Sequence, residues 1–310
     1  MLDDLQTAIA EAPDSAEPYL VYADWLQSQG EPHGEYIQLM HALEHETDAS
    51  RFLQRKQRVD QLLRSHGAKW LNEVKVLDAK WRWGFVRKGR VEASSLRALL
   101  DSQAGRFPRE LTLTGHSSSL HVGLEHVPAT LTGLRLEPTY RDEQVVASTL
   151  PPLQRLALGA GQWVLPRRAE ASLRELWLEA PLVHPTLLPF LASAAPSLHT
   201  LQLTELPQSP ESVLETGFPA LKRLSLVDDL ADDALQWLAK APLLRQLNHL
   251  SVGGPFTDAG LDSVLREFAR FSRVGELVFW GGAVSRSMRS MARKQLPQLL
   301  LLKQALPTPW

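Results

Sequence analysis

The chain has no cysteine among its 310 residues. Disulfides, thiolate metal sites and thiol nucleophiles are excluded with it. A reducing compartment fits that absence, and the cytoplasm is the expected location. Long hydrophobic runs are also missing: the apolar cluster Leu299 to Leu302 falls far short of the roughly 18 residues that argue for a membrane-spanning helix. The opening Met1-Leu2-Asp3-Asp4 carries neither a basic nor an apolar leader segment, so no secretory signal and no membrane partner are expected. Phosphate-loop and nucleophile-elbow patterns are absent. Gly159-Ala160-Gly161 fails as a dinucleotide fingerprint because Val164 stands where the third glycine belongs.

Lysine and arginine are absent from the first fifty positions, which hold eleven acids. The rest of the chain carries 24 acids and 33 bases, so the net charge of −2 hides a polarity. The favoured reading is an acidic module that docks on basic segments of its own chain, beginning with Arg51, Arg55, Lys56 and Arg58. The alternative is a charged face for a partner.

What the sequence does contain is a repeat. The pattern L-x-x-L-x-L recurs as Leu131-Leu134-Leu136, Leu153-Leu156-Leu158, Leu173-Leu176-Leu178, Leu198-Leu201-Leu203 and Leu221-Leu224-Leu226. Softer copies follow at Leu247-Leu250-Val252 and Val274-Leu277-Phe279, and an incomplete one precedes at Leu111-Leu113. First positions are 20 to 27 residues apart. The L-x-L core alternates with period two, which puts the leucines on one side of a short strand and the intervening residues on the other. A single such strand cannot bury its apolar side alone; stacked in parallel, the strands share one core. Helical stretches are predicted between them, at Ser209-Pro210-Glu211 and from Thr257, an N-cap candidate, through Leu261 to Phe268. Pro128, Pro151, Pro196 and Pro219 precede strands and favour an extended start.

Residues 108–302 therefore resemble a leucine-rich-repeat array, similar to the ribonuclease-inhibitor-like subclass, whose flavour Phe256-Thr257-Asp258-Ala259-Gly260-Leu261 carries. That resemblance implies an α/β fold: a solenoid with parallel strands on the concave side and helices on the convex side. The family often places Asn or Cys three residues after L-x-L. Here Thr139, Gly161, Pro181, Leu206, Asp229, Pro255 and Gly282 stand there, which implies differently held turns. The outward residues predicted for the concave face are Arg135, Glu137, Arg155, Glu175, Trp177, Glu179, Thr200, Gln202, Thr204, Arg223, Ser225, His249, Ser251, Glu276, Val278 and Trp280. Trp177 is the foremost of them, since Trp and Arg tend to dominate protein interfaces.

Residues 1–70 differ in character. Leu2, Leu5 and Ile9 make one helical stripe; Tyr19, Leu20, Tyr22, Ala23 and Leu26 a second; Tyr36, Ile37, Leu39, Met40 and Leu43 a third; Phe52, Val59, Leu62 and Leu63 a fourth. The run Leu20-Val21-Tyr22-Ala23-Asp24-Trp25-Leu26, then Gly30, Pro32 and Gly34-Glu35-Tyr36-Ile37-Gln38-Leu39, closely resembles the repeat-companion domain, a small bacterial all-α module. Trp83-Gly84-Phe85-Val86 resembles the R-G-F-V stretch that follows it, with Trp83 where Arg is common; Tyr19 likewise stands where Arg is frequent. The resemblance implies organisation rather than activity. Residues 71–107 read as connecting strands with a turn at Lys88-Gly89, a cap for the array at 108–310.

Three chemical patterns are weighed. His41, Glu44 and His45 match H-x-x-E-H and would serve a metal-dependent hydrolase; the bland alternative is a solvated helix end. His116, His121 and His126, five apart, align on no single face. The eight bases between Arg266 and Lys303 would suit a nucleic-acid adaptor, or equally a solvated convex face. The leading expectation is a non-enzymatic scaffold or regulator that needs neither cofactor nor metal, binds a protein partner such as a protease, kinase or other effector on its concave face, and does not bind nucleic acid.

Overall fold

The computed structural model describes residues 1–141, 143–147, 150–166, 171–179, 187–204, 217–227 and 231–302. The architecture is mixed α/β, with a large and mostly parallel sheet. The chain divides into two compact units, Met1–Thr139 and Tyr140–Trp310. The first unit thus takes in two strands beyond residue 108, where the sequence pattern alone places the start of the array.

In the first unit, four helices come first: α1 (Leu2–Glu11), α2 (Glu17–Ser28), α3 (Pro32–His45) and α4 (Ala49–Trp70). Each of the four predicted stripes supplies buried residues. α2 ends in a Schellman motif. Gly30, at φ +75°, donates to Gln27 O, and Glu31 donates back to Leu26 O at 2.9 Å. Pro32 then opens α3 at a position where its missing N–H costs nothing. Gly34 lets α3 approach α2, since a Cβ there would sit 2.5 Å from Ala23 O. Asp48 caps α4 by accepting from Arg51 N.

A hairpin follows, β1 (Leu77–Arg82) and β2 (Phe85–Glu92), antiparallel. Its turn is Trp83-Gly84, at φ +46° and +80°. The expected turn at Lys88-Gly89 is wrong: both residues lie inside β2, where Lys88 opposes Lys80 on one side and Glu110 on the other. β2 pairs in parallel with β3 (Glu110–Gly115), and β3 with β4 (Gly133–Pro138). The core of the unit joins helices to hairpin through Ile9, Tyr19, Tyr22, Ala23, Leu26, Ile37, Trp83, Phe85 and Phe107.

The second unit repeats one motif. β6 (Arg155–Leu158), β8 (Glu175–Leu178), β9 (Thr200–Thr204), β10 (Arg223–Val227), β11 (His249–Gly253), β12 (Glu276–Trp280) and β13 (Leu299–Leu302) pair in parallel in that order. β5 (Gln144–Val146) and β7 (Gln162–Val164) form a separate parallel pair. The register is strict: Leu156, Leu176, Leu201, Leu224, Leu250 and Leu277 make one row, and Leu158, Leu178, Leu203, Leu226, Val252 and Phe279 another. All are buried, each contributing roughly 1.5–3 kcal/mol relative to exposure. This is the physical content of the repeated L-x-L.

Helices Leu187–Ala194, Asp232–Lys240, Asp258–Arg266 and Arg286–Gln295 lie between strands. Thr257 caps its helix as expected, accepting from Ala259 N. The cap is itself held from the preceding repeat: Asp232 accepts from Thr257 N at 2.7 Å and from Thr257 Oγ1 at 2.6 Å. The device recurs one repeat on, where Asp258 accepts from Ser285 N at 2.7 Å and Ser285 caps the next helix by accepting from Met288 N. The helix predicted at Ser209-Pro210-Glu211 falls outside the described residues. Among the described residues, no helix is long and apolar enough to cross a membrane.

Candidate functional site

Within the second unit, the strand residues predicted for the outer face share a face of the sheet, in rows set by the register. In the second unit the first row runs Arg155, Glu175, Thr200, Arg223, His249 and Glu276 across adjoining strands. Arg223 and Glu276 are exposed and the others half-buried. His249 Nδ1 meets Glu276 Oε2 at 2.9 Å. The second row runs Ala157, Trp177, Gln202, Ser225, Ser251 and Val278. Here the structure corrects the expectation of a projecting tryptophan: Trp177 is 5% exposed and Gln202 8%. Ala157 and Val278 are buried with them. Only Ser225 and Ser251, in the middle of the row, stay half-open. Glu179 and Trp280 are half-buried, and the Trp280 ring lies against Gly253 in the space a Cβ would fill.

In the first unit, Arg135 and Glu137 are turned on each other. Arg135 Nε donates to Glu137 Oε1 at 2.6 Å, and Arg90 pairs with the same carboxylate. These two are tied into a local ion-pair cluster, which makes them poorer contacts for an outside molecule than Arg223 or Glu276.

Part of the acidic N-terminal segment pairs with bases of its own unit, as the favoured reading has it for Arg55 and Arg58, while Lys56 turns to Asp60 instead. Glu35 takes Arg58, with both Arg58 contacts at 2.7 Å; Glu46 takes Arg55, and Glu44 takes Arg82. Asp14 lies between Arg87 and Arg109. Arg87 is buried, donating to Tyr19 Oη at 2.6 Å and to Pro13 O at 2.9 Å. Tyr19 also packs on Trp83 at 5.1 Å. Sequence reasoning missed this clasp, because its members are far apart along the chain.

The H-x-x-E-H pattern lies on α3, with the His41 and His45 rings 5.0 Å apart. Glu44 is engaged by Arg82, and the described residues contain no group of three or more His, Asp or Glu placed to hold a metal. His33, which the sequence did not single out, is fully buried against Trp70 and Phe85. Its Nε2 lies 2.7 Å from Gly84 O. A carbonyl only accepts, so Nε2 carries the proton and Nδ1 is left without a partner. Burial pushes the imidazole down to about 4, against a smaller opposing effect of the Gly84 bond. The ring is a neutral structural element.

The fold defines the class as a mixed α/β protein with a large, mostly parallel sheet and helices between its strands. No protein-family model and no curated protein sequence matches the chain. Among solved structures, it is similar to a structural-genomics crystal structure of a protein from Bacteroides fragilis. The TM-score is 0.58 at 17% identity, over 83% of this chain and 86% of that one. The likeness is one of fold.

Proposed function

We propose that the chain is a non-catalytic protein-interaction scaffold or regulator: a leucine-rich-repeat solenoid, concave on its strand side and convex on its helix side, preceded by a repeat-companion-like helical module. The register of β6 to β13 and the helices returning between strands support the repeat reading. The Gly34 contact with α2 and the Gly84 turn give physical reasons for two of the glycines in the resemblance to the companion module. The cytoplasm of a bacterium is the proposed setting, and a protein effector the proposed partner.

The observation that carries the reading is the polar first row, where Arg223 and Glu276 reach solvent, with Ser225 and Ser251 of the second row half-open beside it. The charged groups of the first row and the half-open Ser225 and Ser251 beside them offer the mix of ionic and hydroxyl contacts that a protein interface uses.

The test is capture from extract of the native host with the purified chain. Wild-type protein retains a defined partner. The double variant Ser225→Arg/Ser251→Arg places two long cations in the middle of the face and loses that partner while its circular-dichroism spectrum is unchanged. Retention of the same partner at the same yield by the double variant would show that the face is not used.

A further inference from the structure

Immediately before β6, β8, β9, β10 and β11 stands one residue that belongs to neither leucine row: Gln154, Arg174, His199, Lys222 and Asn248 respectively. Each carbonyl in this series is gripped by the next repeat. Gln154 O accepts from Arg174 N and Glu175 N, Arg174 O from His199 N and Thr200 N, and His199 O from Lys222 N and Arg223 N. Lys222 O accepts likewise from Asn248 N and His249 N. The bonds fix the side chains in a column along the N-terminal edge of the sheet, about 4.8 Å from one to the next. All five are exposed.

The middle of the column is basic. Arg174, His199 and Lys222 stand immediately before three consecutive strands. Their hydrogen bonds go to neutral carbonyls: Arg174 Nη1 to Ser197 O at 3.1 Å, His199 Nδ1 to Ser197 O at 2.9 Å, and Lys222 Nζ to Gln246 O at 3.5 Å. Carbonyls orient the Arg174 and Lys222 cations without cancelling their charge. The contrast with the first unit is direct, where Arg58, Arg55 and Arg82 are each spent on a carboxylate.

Resting on the scaffold reading, we propose that this edge receives an acidic segment of the partner protein, with several Asp or Glu close together in its sequence, and that the half-open sheet face beside it holds the rest of the partner. Charge complementarity selects the occupant. A nucleic acid fits less well. The cations are few, the column ends in Gln154 and Asn248, Glu175 stands beside Arg174, and no exposed aromatic among the described residues of this edge offers a base a surface to stack on.

The test uses the full chain and a fluorescein-labelled octaglutamate peptide, read by anisotropy at low and at physiological salt. Charge reversal at the edge (Arg174→Glu/Lys222→Glu) weakens peptide binding at least tenfold. An equal reversal on the last helix (Arg293→Glu/Lys294→Glu) changes it less than twofold. Wild-type affinity in the edge variant, equal losses in both variants, or stronger edge-dependent binding of a labelled 20-nucleotide single strand each overturns the proposal. The host-extract capture separates the two claims. A partner lost by Ser225→Arg/Ser251→Arg but kept by the edge variant leaves the scaffold standing and removes the acidic-segment proposal. Edge-dependent peptide binding without any face-dependent partner removes the scaffold reading.

Discussion

Replacing a helical glycine by alanine ordinarily stabilises, by about 1 kcal/mol, because alanine loses less backbone freedom on folding. Gly260 should do the opposite. It lies in the first turn of the helix Asp258–Arg266, and a Cβ there would run into Asp232 Oδ1 and come within 3.0 Å of Leu235 Cδ1. To admit it, the Asp232 carboxylate must swing away from Thr257 N and Thr257 Oγ1. A hydrogen bond to a charged group is worth about 1.5–3 kcal/mol when shielded; at this partly exposed site about 1 kcal/mol each is the better figure. Two lost bonds against one gain in propensity leave Gly260→Ala destabilised by about 1 kcal/mol. In an Asp232→Ala background only the Leu235 Cδ1 contact remains, the end of a side chain that needs to give by a few tenths of an ångström, and the same substitution should stabilise by about 1 kcal/mol. The cycle therefore predicts a coupling of about 2 kcal/mol and a reversal of sign. Urea unfolding followed by circular dichroism on the four proteins measures it. Equal stabilisation by Gly260→Ala in both backgrounds would refute the argument that the carboxylate, not helix propensity, selects the glycine.

Two further outcomes follow from burial. His33 is held down to about 4 in the folded chain, while an unfolded histidine titrates near 6.5. The unfolded state thus binds the extra proton between those values, and stability falls as pH drops from about 6.5 to about 4, by about 3 kcal/mol in all. His33→Gln should flatten that part of the melting-temperature profile, and an unchanged slope would count against the assignment. Trp177→Ala should cost about 3–5 kcal/mol, as deletion of a packed aromatic does; a loss below about 1 kcal/mol in a denaturant titration would mean that the ring packs on little.

The strands were legible because their signal is one-dimensional. A leucine at every second position, restated at each repeat, specifies both the element and its inward side, and the predicted rows match the pairing of β6 to β12. The same periodicity cannot say whether the other side meets water. Trp177 does alternate away from the leucines, yet whether it is covered depends on what packs over it from other parts of the chain. The hairpin turn was misplaced for a local reason. Lys88-Gly89 has turn-like residues, but Gly89 faces Val76 within the sheet, while Trp83, a bulky residue at positive φ, occupies the real turn with Gly84. The helical stripes were readable at 3.6-residue spacing. The Arg87 clasp and the buried His33 were not, since both depend on residues brought together from 50 or more positions apart.

The carboxylates at Asp232 and Asp258 grip a helix start that belongs to the following repeat. These two modules therefore each carry the clamp for their successor rather than for themselves. Cutting or grafting whole modules should succeed at seams that leave donor and recipient together, and a splice falling between Asp232 and Thr257 would deliver a helix with nothing upstream to fasten its first turn.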